Sequence, residues 1–478
     1  MKGGIFTAST RRRGVWFDMK NIDIQFGKLL KFCFLSASLC LGGFISAVTA
    51  QSDGSQQNRT GKAGTFAIIG ARIVTVSGAV IENGTVVIQN GKITAVGAVA
   101  TVPGGAERID GKGLSVYPGM IDAASGMGLA EIGQGANATV DIAEIAANNA
   151  NAKAFLGVNP HSSHINVTRV NGITTVMSAP AGGVIAGQGT VINLNGSTQS
   201  EMAVVPEAAL IINFPRIAQG GGFGGGFGGF GGPQVDFNEA IKRRDTAIET
   251  IKKQFTDAIN HGRAMEAFAN DKSLPQPATD LALEAMVPYV RGLKPIVFTA
   301  ERERDIKAVL KFIADMKVKG ILVGGQEAWK VANELKSANV PVIFTHIYSL
   351  PVRDDDAYDY LFAGPGKLQA AGVKFAIATG DAGAENRDLP YHAGLAGAYG
   401  LPKDEALKAV TLYPAQILGV ADQLGSIEVG KMANVVVTDG DMLDPRTNVK
   451  HVFIGGRMIP LGSRHTDLFD SFKDRKIQ

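Results

Sequence analysis

Short, mostly apolar runs that are typical of strands stand near both ends of the chain, beside turn residues. Near the N-terminus, two such runs flank an Asn-Gly dipeptide at residues 90–91, which favours the tight turn of a β-hairpin. Near the C-terminus, two similar runs flank a Gly-Gly dipeptide at residues 455–456. We therefore predict a small β-sandwich domain that both chain ends build together, from residues 64–116 and 422–462.

Between these β segments, short apolar runs alternate with segments whose apolar residues recur every three or four positions. Residues 320–323 and 341–344 are typical of buried strands, and the segment after Asp236 is typical of a long helix that Asp236 caps. Repeated strand–helix units predict an α/β fold, with a (β/α)8 TIM-like barrel over residues 117–421. Neither a dinucleotide-binding fingerprint nor a P-loop is present to favour an open sheet.

A glycine-rich insertion interrupts the barrel region at residues 219–232, where three phenylalanines stand among glycines. Glycine at this density does not recover the entropy lost on ordering, so a mobile loop is the default prediction. A flap that closes over a site or contacts a partner is the alternative. Residues 463–478 are interpreted as a tail.

The first fifty residues are typical of a secretory leader. Two lysines precede an apolar run at residues 32–47, and small residues follow at a cleavage-like site before Gln51. We predict a signal peptide over residues 1–50, with Met19 as an alternative start, and a linker over 51–63. The run is too short for a stable membrane span. The arginines at 11–13 suggest a twin-arginine signal as a second interpretation.

Charge and cysteine content agree with export. The chain carries a net charge of +3, but residues 1–50 contribute +5 and the remainder −2, so a nucleic-acid-binding surface is not predicted. Both cysteines, Cys33 and Cys40, lie in the leader, which leaves the rest without disulfides or thiolate ligands. The predicted location is the periplasm of a Gram-negative bacterium.

Three motifs carry a resemblance to a known family. Residues 118–126 read Pro-Gly-Met-Ile-Asp-Ala-Ala-Ser-Gly, residues 378–382 read Ala-Thr-Gly-Asp-Ala, and residues 425–436 read Gly-Ser-Ile-Glu-Val-Gly-Lys-Met-Ala-Asn-Val-Val. In this order they resemble the amidohydrolase superfamily, in its imidazolonepropionase-like branch, over most of residues 64–460. The resemblance implies a barrel hydrolase that gathers its site at the C-terminal ends of the strands and acts on non-peptide C–N bonds.

Most metal ligands of that family are replaced in this chain. The resemblance implies two histidines after the first strand, and Ala124 and Gly126 stand in their places. The histidines of the fifth and sixth strands fall on Thr299 and Gly324, and residues 208–213 contain no fourth-strand lysine. A histidine-rich binuclear zinc site therefore cannot assemble from these positions.

The remaining polar residues near predicted strand ends are the candidate catalytic groups. Asp381 matches the last-strand aspartate, which the resemblance implies to be the proton shuttle between water and the leaving nitrogen. Glu301 and His346 are the other two catalytic candidates. We predict either one divalent metal ion, zinc or manganese, with Asp381 and His346 as ligands, or no metal at all.

Further candidates have weaker signals. Arg302, Arg387 and Gly183 are predicted to bind substrate, the last because the glycine-rich stretch at residues 180–189 offers backbone amides to an anionic group. A tight structural loop is the alternative for that stretch. Asp122 and His392 are predicted to have structural roles. His161 and His164 form a His-x-x-His pair, for which metal binding is an alternative interpretation.

Three functions remain open. The first is a periplasmic hydrolase of a cyclic or small amide. The second is a degenerate barrel that binds a small molecule or a related barrel subunit that retains the full metal set. The third is a metal-free isomerase or lyase that uses Glu301, His346 and Asp381. A homo-oligomer is compatible with each.

Overall fold

A computed structural model of the protein describes residues 60–132, 137–217, 236–351, 353, 355–381 and 383–475. The predicted leader, most of the predicted linker, the glycine-rich insertion at 219–232 and the last three residues of the predicted tail lie outside the described residues.

Strands and helices occur in the following chain order. The strands are β1 (Phe66–Ile73), β2 (Ile81–Gln89), β3 (Lys92–Gly97), β4 (Glu107–Asp110), β5 (Ser115–Pro118), β6 (Met120–Ser125), β7 (Ile173–Ser178), β8 (Ile185–Asn193), β9 (Ala203–Asn213), β10 (Ile296–Ala300), β11 (Gly320–Gly324), β12 (Val342–Phe344), β13 (Phe375–Ile377), β14 (Val435–Thr438), β15 (Val449–Ile454) and β16 (Arg457–Ile459). The helices are α1 (Ala154–Gly157), α2 (Ser163–Arg169), α3 (Gln199–Met202), α4 (Phe237–Asn270), α5 (Leu281–Val290), α6 (Glu303–Met316), α7 (Ala332–Ser337), α8 (Tyr360–Ala371), α9 (Leu389–Ala398), α10 (Lys403–Lys408), α11 (Leu412–Ile417) and α12 (Arg464–Phe472).

The two chain ends form one hydrogen-bonded sheet, as the two β segments predicted. Its strand order is β16-β15-β14-β5-β1-β2-β3, and β4 pairs with β1 beside this path. In the first hairpin, Asn90 and Gly91 have φ angles of 52° and 79°, the left-handed region that this turn requires. The second hairpin turns at Gly455 and Gly456, with φ angles of 57° and 73°. Local turn chemistry therefore sets both hairpins.

The barrel strands follow one another in the order β6 to β13. Between the first and last strands, Gly380 N donates to Ala124 O at 3.0 Å and Gly126 N donates to Asp381 O at 2.9 Å. The predicted TIM-like barrel is confirmed, with one departure from the regular form. The third strand, β8, runs antiparallel to both β7 and β9, so no crossover helix separates it from β7.

Helices on the outside complete the barrel core. The predicted long helix is α4, and the side chain of Asp236 caps it by accepting from the amides of Asn238 and Glu239. Its buried Phe255 packs edge-to-face on Phe312 of α6, with ring centroids 5.1 Å apart. Among the described residues, no helix is both long and apolar enough to cross a membrane. The exact domain boundaries stay predictions.

Candidate active site

An open cavity of about 320 Å³ lies at the C-terminal ends of β12 and β13. Parallel barrel strands bring their carboxyl ends to one face, so residues distant in the chain meet there. The cavity is lined by His346, Tyr348, Ser349, Thr379, Gly380, Asp381, Glu385, Asp388 and His392. Two of the three predicted catalytic residues, His346 and Asp381, therefore share one cavity, and Glu301 does not line it.

Asp122 fastens the first strand to the segment after the last one. Its side chain is fully buried, and Oδ2 accepts from Thr379 Oγ1 at 2.5 Å and from Asn386 Nδ2 at 2.9 Å. Oδ1 accepts from the backbone N of Thr379 at 3.2 Å. Burial raises the pKa of Asp122 to about 6, although these hydrogen bonds oppose the shift. The predicted structural role of Asp122 agrees with this placement.

Asp381 stands at the mouth of the cavity beside a second carboxyl group. Its Oδ1 accepts from Gly383 N at 3.2 Å, and its side chain is hydrogen-bonded to Glu385. That hydrogen bond and the charge of Asp381 raise the pKa of the Glu385 carboxyl.

His346 is held over a glycine of the neighbouring strand end. A Cβ atom on Gly380, whose φ is +77°, would lie 2.9 Å from Cε1 and 3.1 Å from Nε2 of the His346 ring. His346 itself has a φ of +59°, an uncommon conformation for a residue with a side chain. The residue is exposed in part, yet the cavity walls desolvate the ring and lower its pKa, against the pull of Asp381.

His392 forms the inner wall of the cavity. It belongs to α9 and is 6% exposed, and its ring centroid lies 4.3 Å from that of Tyr348. Burial, with repulsion from His346, lowers the pKa of His392 to about 4, so the ring is neutral at pH 7. Within the described residues its Nδ1 has no hydrogen-bond partner. A buried polar atom of this kind is rare in folded proteins.

Glu301 occupies a separate place, above the end of β11. A Cβ atom on Gly324 would lie 2.3 Å from Glu301 Oε1 and 2.7 Å from Oε2. The carboxyl group therefore fills the space over the position where the family has its sixth-strand histidine. Although the residue as a whole is partly exposed, burial of the carboxyl raises the pKa of Glu301 to about 7, which the charges of Arg302 and Arg216 oppose.

Arg302 is engaged in an ion-pair network instead of facing the cavity. Its Nη1 lies 3.3 Å from Oε1 of Glu327 and 3.5 Å from Oδ2 of Asp356. Glu327 is buried and also pairs with Lys330 at 2.8 Å. Asp356 lies in the loop between β12 and α8, which also carries His346. Arg302 therefore ties the end of β10 to this loop.

The other two predicted substrate-binding residues lie outside the cavity lining. The carbonyl of Gly183 accepts from Asn213 Nδ2 at 2.8 Å, and the next two amides both donate to Ala147 O at 3.0 Å. Residues 185–189 are part of β8, so the glycine-rich stretch is largely a strand and a tight loop. Arg387 Nε lies 3.7 Å from Asp388 Oδ1, and its side chain is 43% exposed.

The residues at the family's metal positions do not fit a metal centre. Ala124 and Gly126 contribute backbone bonds to the closure of the barrel, and Thr299 Oγ1 lies 3.5 Å from Ile212 O. Gly324 is covered by Glu301. Across the described part of the chain, no group of three His, Cys, Asp or Glu side chains is placed to hold a metal ion. His164 Nε2 instead lies 3.1 Å from Glu131 O.

A larger cavity of about 540 Å³ lies elsewhere, near α11. Its charged residues are already paired, since Lys408 contacts Glu405 at 2.9 Å and Lys431 contacts Glu428 at 3.2 Å. No buried polar atom without a partner lines it among the described residues. The smaller cavity is therefore the better candidate site.

Several site residues were missed at the sequence level. Asn386 binds Asp122 and Thr379 through Nδ2 and also contacts the carbonyl of Asp381 at 3.2 Å. Glu385 and Asp388 contribute carboxyl groups to the cavity. All three lie within eight residues of Asp381, so the short segment after the last strand was the available signal.

Known proteins share both the sequence of the C-terminal part and the fold. A sequence model of the amidohydrolase family matches residues 307–459. An amidohydrolase from Thermotoga maritima is 25% identical, with a TM-score of 0.71, over 83% of this chain and 99% of its own. No functionally curated protein sequence matches the chain.

Two further structures are similar at lower identity, which shows the fold alone. A prolidase complexed with N-methylphosphonate-L-proline is 17% identical with a TM-score of 0.50, over 83% of this chain and 99% of its own. Molinate hydrolase is 18% identical with a TM-score of 0.50, over 84% of this chain and 96% of its own. The imidazolonepropionase-like branch stays a prediction. Residues 307–459 therefore match the amidohydrolase family in sequence, and the barrel is similar in fold to that of a solved amidohydrolase.

Proposed function

We propose that the protein hydrolyses a non-peptide C–N bond in a cyclic or small amide, and that the reaction takes place in the cavity at the ends of β12 and β13. The observation that carries this proposal is the meeting of Asp381 and His346 with the buried His392 in one cavity. A volume of about 320 Å³ suits a small substrate, at the lower end of the range for ligand pockets.

The positions of these residues suit the steps of amide hydrolysis. Water adds to the carbonyl carbon, the C–N bond breaks, and a proton passes from the water to the leaving nitrogen. Asp381 is the group that takes and returns this proton, because its carboxylate faces the cavity. Burial lowers the pKa of His346, which favours the neutral ring, and a neutral imidazole has one N–H to donate to the carbonyl oxygen.

The support of Asp381 comes from the buried cluster below it. Asn386 donates to the carbonyl of Asp381, and Asp122 holds both Asn386 and Thr379 in place. A proton-transfer group works best when its geometry is fixed before the substrate arrives. Asp122 and Asn386 are therefore positioning residues.

The residues at the family's ligand positions do not fit a metal ion, so no step of this scheme passes through one. Zinc or manganese bound by Asp381 and His346 stays a prediction from the sequence. Metal analysis of the purified protein tests this metal prediction. The scheme above expects turnover to persist in a chelator.

A screen of small linear and cyclic amides tests the main proposal. The wild-type protein is expected to release amine from at least one of them, and Asp381→Asn to abolish release while the circular dichroism spectrum stays unchanged. Asp355→Asn is the matched control, since its exposed side chain pairs with Arg353 outside the cavity. Unchanged turnover in Asp381→Asn would contradict the assignment.

One observation favours a second candidate, a barrel that has lost hydrolysis and binds a small molecule or a related barrel subunit. The Glu301 carboxyl group fills the space above Gly324, and Ala124 and Gly126 serve the barrel closure. No turnover across the amide panel, together with stable co-purification of a related barrel that mass spectrometry identifies, would favour this candidate.

The proposed location is the periplasm. The basic leader with its apolar run and the absence of cysteine from residues 51–478 support it. N-terminal sequencing of the protein from a periplasmic fraction is expected to begin at Gln51. An intact leader on protein from the cytoplasm would contradict export.

A further inference from the structure

The charged lining of the candidate cavity is one-sided. Asp381, Glu385 and Asp388 place three carboxyl groups on it. Among the described residues, no lysine or arginine lines this cavity. Arg387 lies beside the cavity, with its Nε 3.7 Å from Asp388 Oδ1. Its side chain is 43% exposed, so solvent screens much of its positive charge.

The carboxyl groups are close enough to oppose one another. The side chains of Asp381 and Glu385 share a hydrogen bond, and the carboxyl group of Asp388 lines the same cavity. A protonated amine bound between these groups donates hydrogen bonds to the carboxylates and balances their negative charge. An anionic group in the same place would add to the repulsion.

A second, independent observation indicates that a ligand belongs in this cavity. His392 lines its inner wall, is 94% buried and has an Nδ1 atom with no hydrogen-bond partner in the described part of the chain. An unsatisfied buried nitrogen costs free energy, which a hydrogen-bonding ligand recovers. The half-exposed ring of Tyr348 lies against His392 and offers an aromatic face to a cation.

We propose that the cavity recognises the cationic end of its substrate, a protonated amine or an amidinium group. This inference rests on the proposed amide hydrolysis and names the class of amide: one that carries a positive charge near the scissile bond. Asp381 then transfers the proton, whereas Glu385 and Asp388 bind the positively charged end of the substrate. The substrate-binding roles predicted for Arg302, Arg387 and Gly183 do not enter this assignment, because none of the three lines the cavity.

Three ligands of matched length separate charge from shape. N-(4-aminobutyl)acetamide carries an ammonium end, N-pentylacetamide a neutral methyl end, and 5-acetamidopentanoate a carboxylate end. Binding to the wild-type protein is measured by ligand-observed NMR in low salt with a chelator present, which excludes a divalent metal as the source of charge preference. We expect the ammonium ligand to bind at least about tenfold more tightly than the neutral one, and the carboxylate ligand most weakly.

Two variants and a change in salt concentration test whether the carboxyl groups cause the preference for the ammonium ligand. Glu385→Gln and Asp388→Asn are expected to narrow the difference between ammonium and neutral ligands, and Asp355→Asn to leave it unchanged. Raising the salt concentration on the wild-type protein is expected to weaken only the charged ligands, which needs no variant to fold. Equal binding of the three ligands, or preference for the carboxylate, overturns the inference.

Failure of this inference and failure of the hydrolase proposal are distinguishable. Ammonium preference without turnover of any amide keeps the charge assignment and rejects hydrolysis. Turnover of neutral or anionic amides in preference to cationic ones keeps hydrolysis and rejects the charge assignment.

Discussion

At the C-terminal ends of β12 and β13, polar side chains line an open cavity, whereas at the ends of β10 and β11 they are paired with one another. On the open side, Asp381 and His346 face the cavity. On the closed side, Glu301 covers Gly324 and Arg302 pairs with Glu327 and Asp356. One barrel face therefore holds a candidate site beside a region whose charges are internally satisfied.

This difference shows that the replacement of metal ligands that the resemblance implies has different consequences at different strand ends of the barrel. Where the resemblance implies histidines on the fifth and sixth strands, this chain has Thr299 and Gly324, and the Glu301 carboxyl group fills the space over Gly324. Where the family has its last-strand aspartate, the chain keeps Asp381 and surrounds it with further carboxyl groups. The following predictions test this division.

The largest effect is expected from Asp381→Asn on the open side. Removal of the proton-transfer group should lower kcat by at least about 100-fold, the lower end of what general acid–base catalysis contributes. The readout is amine release from the best substrate of the amide screen. By contrast, Glu301→Gln on the closed side should change kcat less than about threefold if the two regions are independent. Equal losses in both variants would end the distinction.

Asp122→Ala should destabilise the protein by about 3 kcal/mol, because it leaves Thr379 and Asn386 without their buried acceptor. Urea unfolding monitored by circular dichroism measures the change in the free energy of unfolding. Asp110→Ala is the matched control, since Asp110 is exposed and, among the described residues, its side chain accepts only from the amide of Lys112. A change below about 1 kcal/mol in Asp122→Ala would show that the cluster does not fasten the barrel.

The pH dependence of stability should separate the two sides. The pKa of Glu301 is about 7 in the folded protein and has an ordinary value of 4.5, so the folded state holds more protons between these values. Its contribution to stability is therefore full below pH 4.5 and lost as the pH rises through 7. The difference amounts to at most about 3 kcal/mol.

Glu301→Gln should remove that loss, measured as unfolding free energy at pH 5 and pH 7.5. His392 has the opposite sign, because its pKa is lowered to about 4 and stability is lost as the pH falls towards that value. The comparison of wild type with Glu301→Gln at each pH cancels the histidine contribution. An identical pH profile in both proteins would contradict burial of the Glu301 carboxyl.

A pair of glycine substitutions should give the smallest effects. Gly324 and Gly380 have φ angles of +100° and +77°, and a methyl group on either would meet Glu301 or His346. We expect Gly324→Ala and Gly380→Ala each to cost about 2 kcal/mol in unfolding free energy, from backbone strain and displacement of the neighbour. Only Gly380→Ala should also lower turnover, since His346 lies above it.

A double variant controls for backbone strain. Glu301→Ala combined with Gly324→Ala removes the clash but not the strain, so part of the lost stability should return. No recovery would mean that Glu301 does not occupy the space over Gly324.

Local chemistry explains which parts of the fold were predictable. The Asn-Gly and Gly-Gly turns supply left-handed backbone whatever surrounds them, and the apolar periodicity of α4 and α6 follows from one buried face. The antiparallel direction of β8 was not predictable, because an apolar strand reads the same in either direction. The pairing of Asp122 with Asn386 joins residues far apart in the chain, and no local pattern encodes it.

The sequence by itself indicated the barrel and the β sheet that both chain ends build, since residue type and local spacing are enough for each. It also singled out Asp381, through its place in the last-strand motif. Only the tertiary structure decided that His346 joins Asp381, that Glu301 instead fills the space over Gly324, and that Glu385 and Asp388 complete an acidic cavity. The physical reason is that strand ends bring distant residues together, and their charge and burial depend on those neighbours.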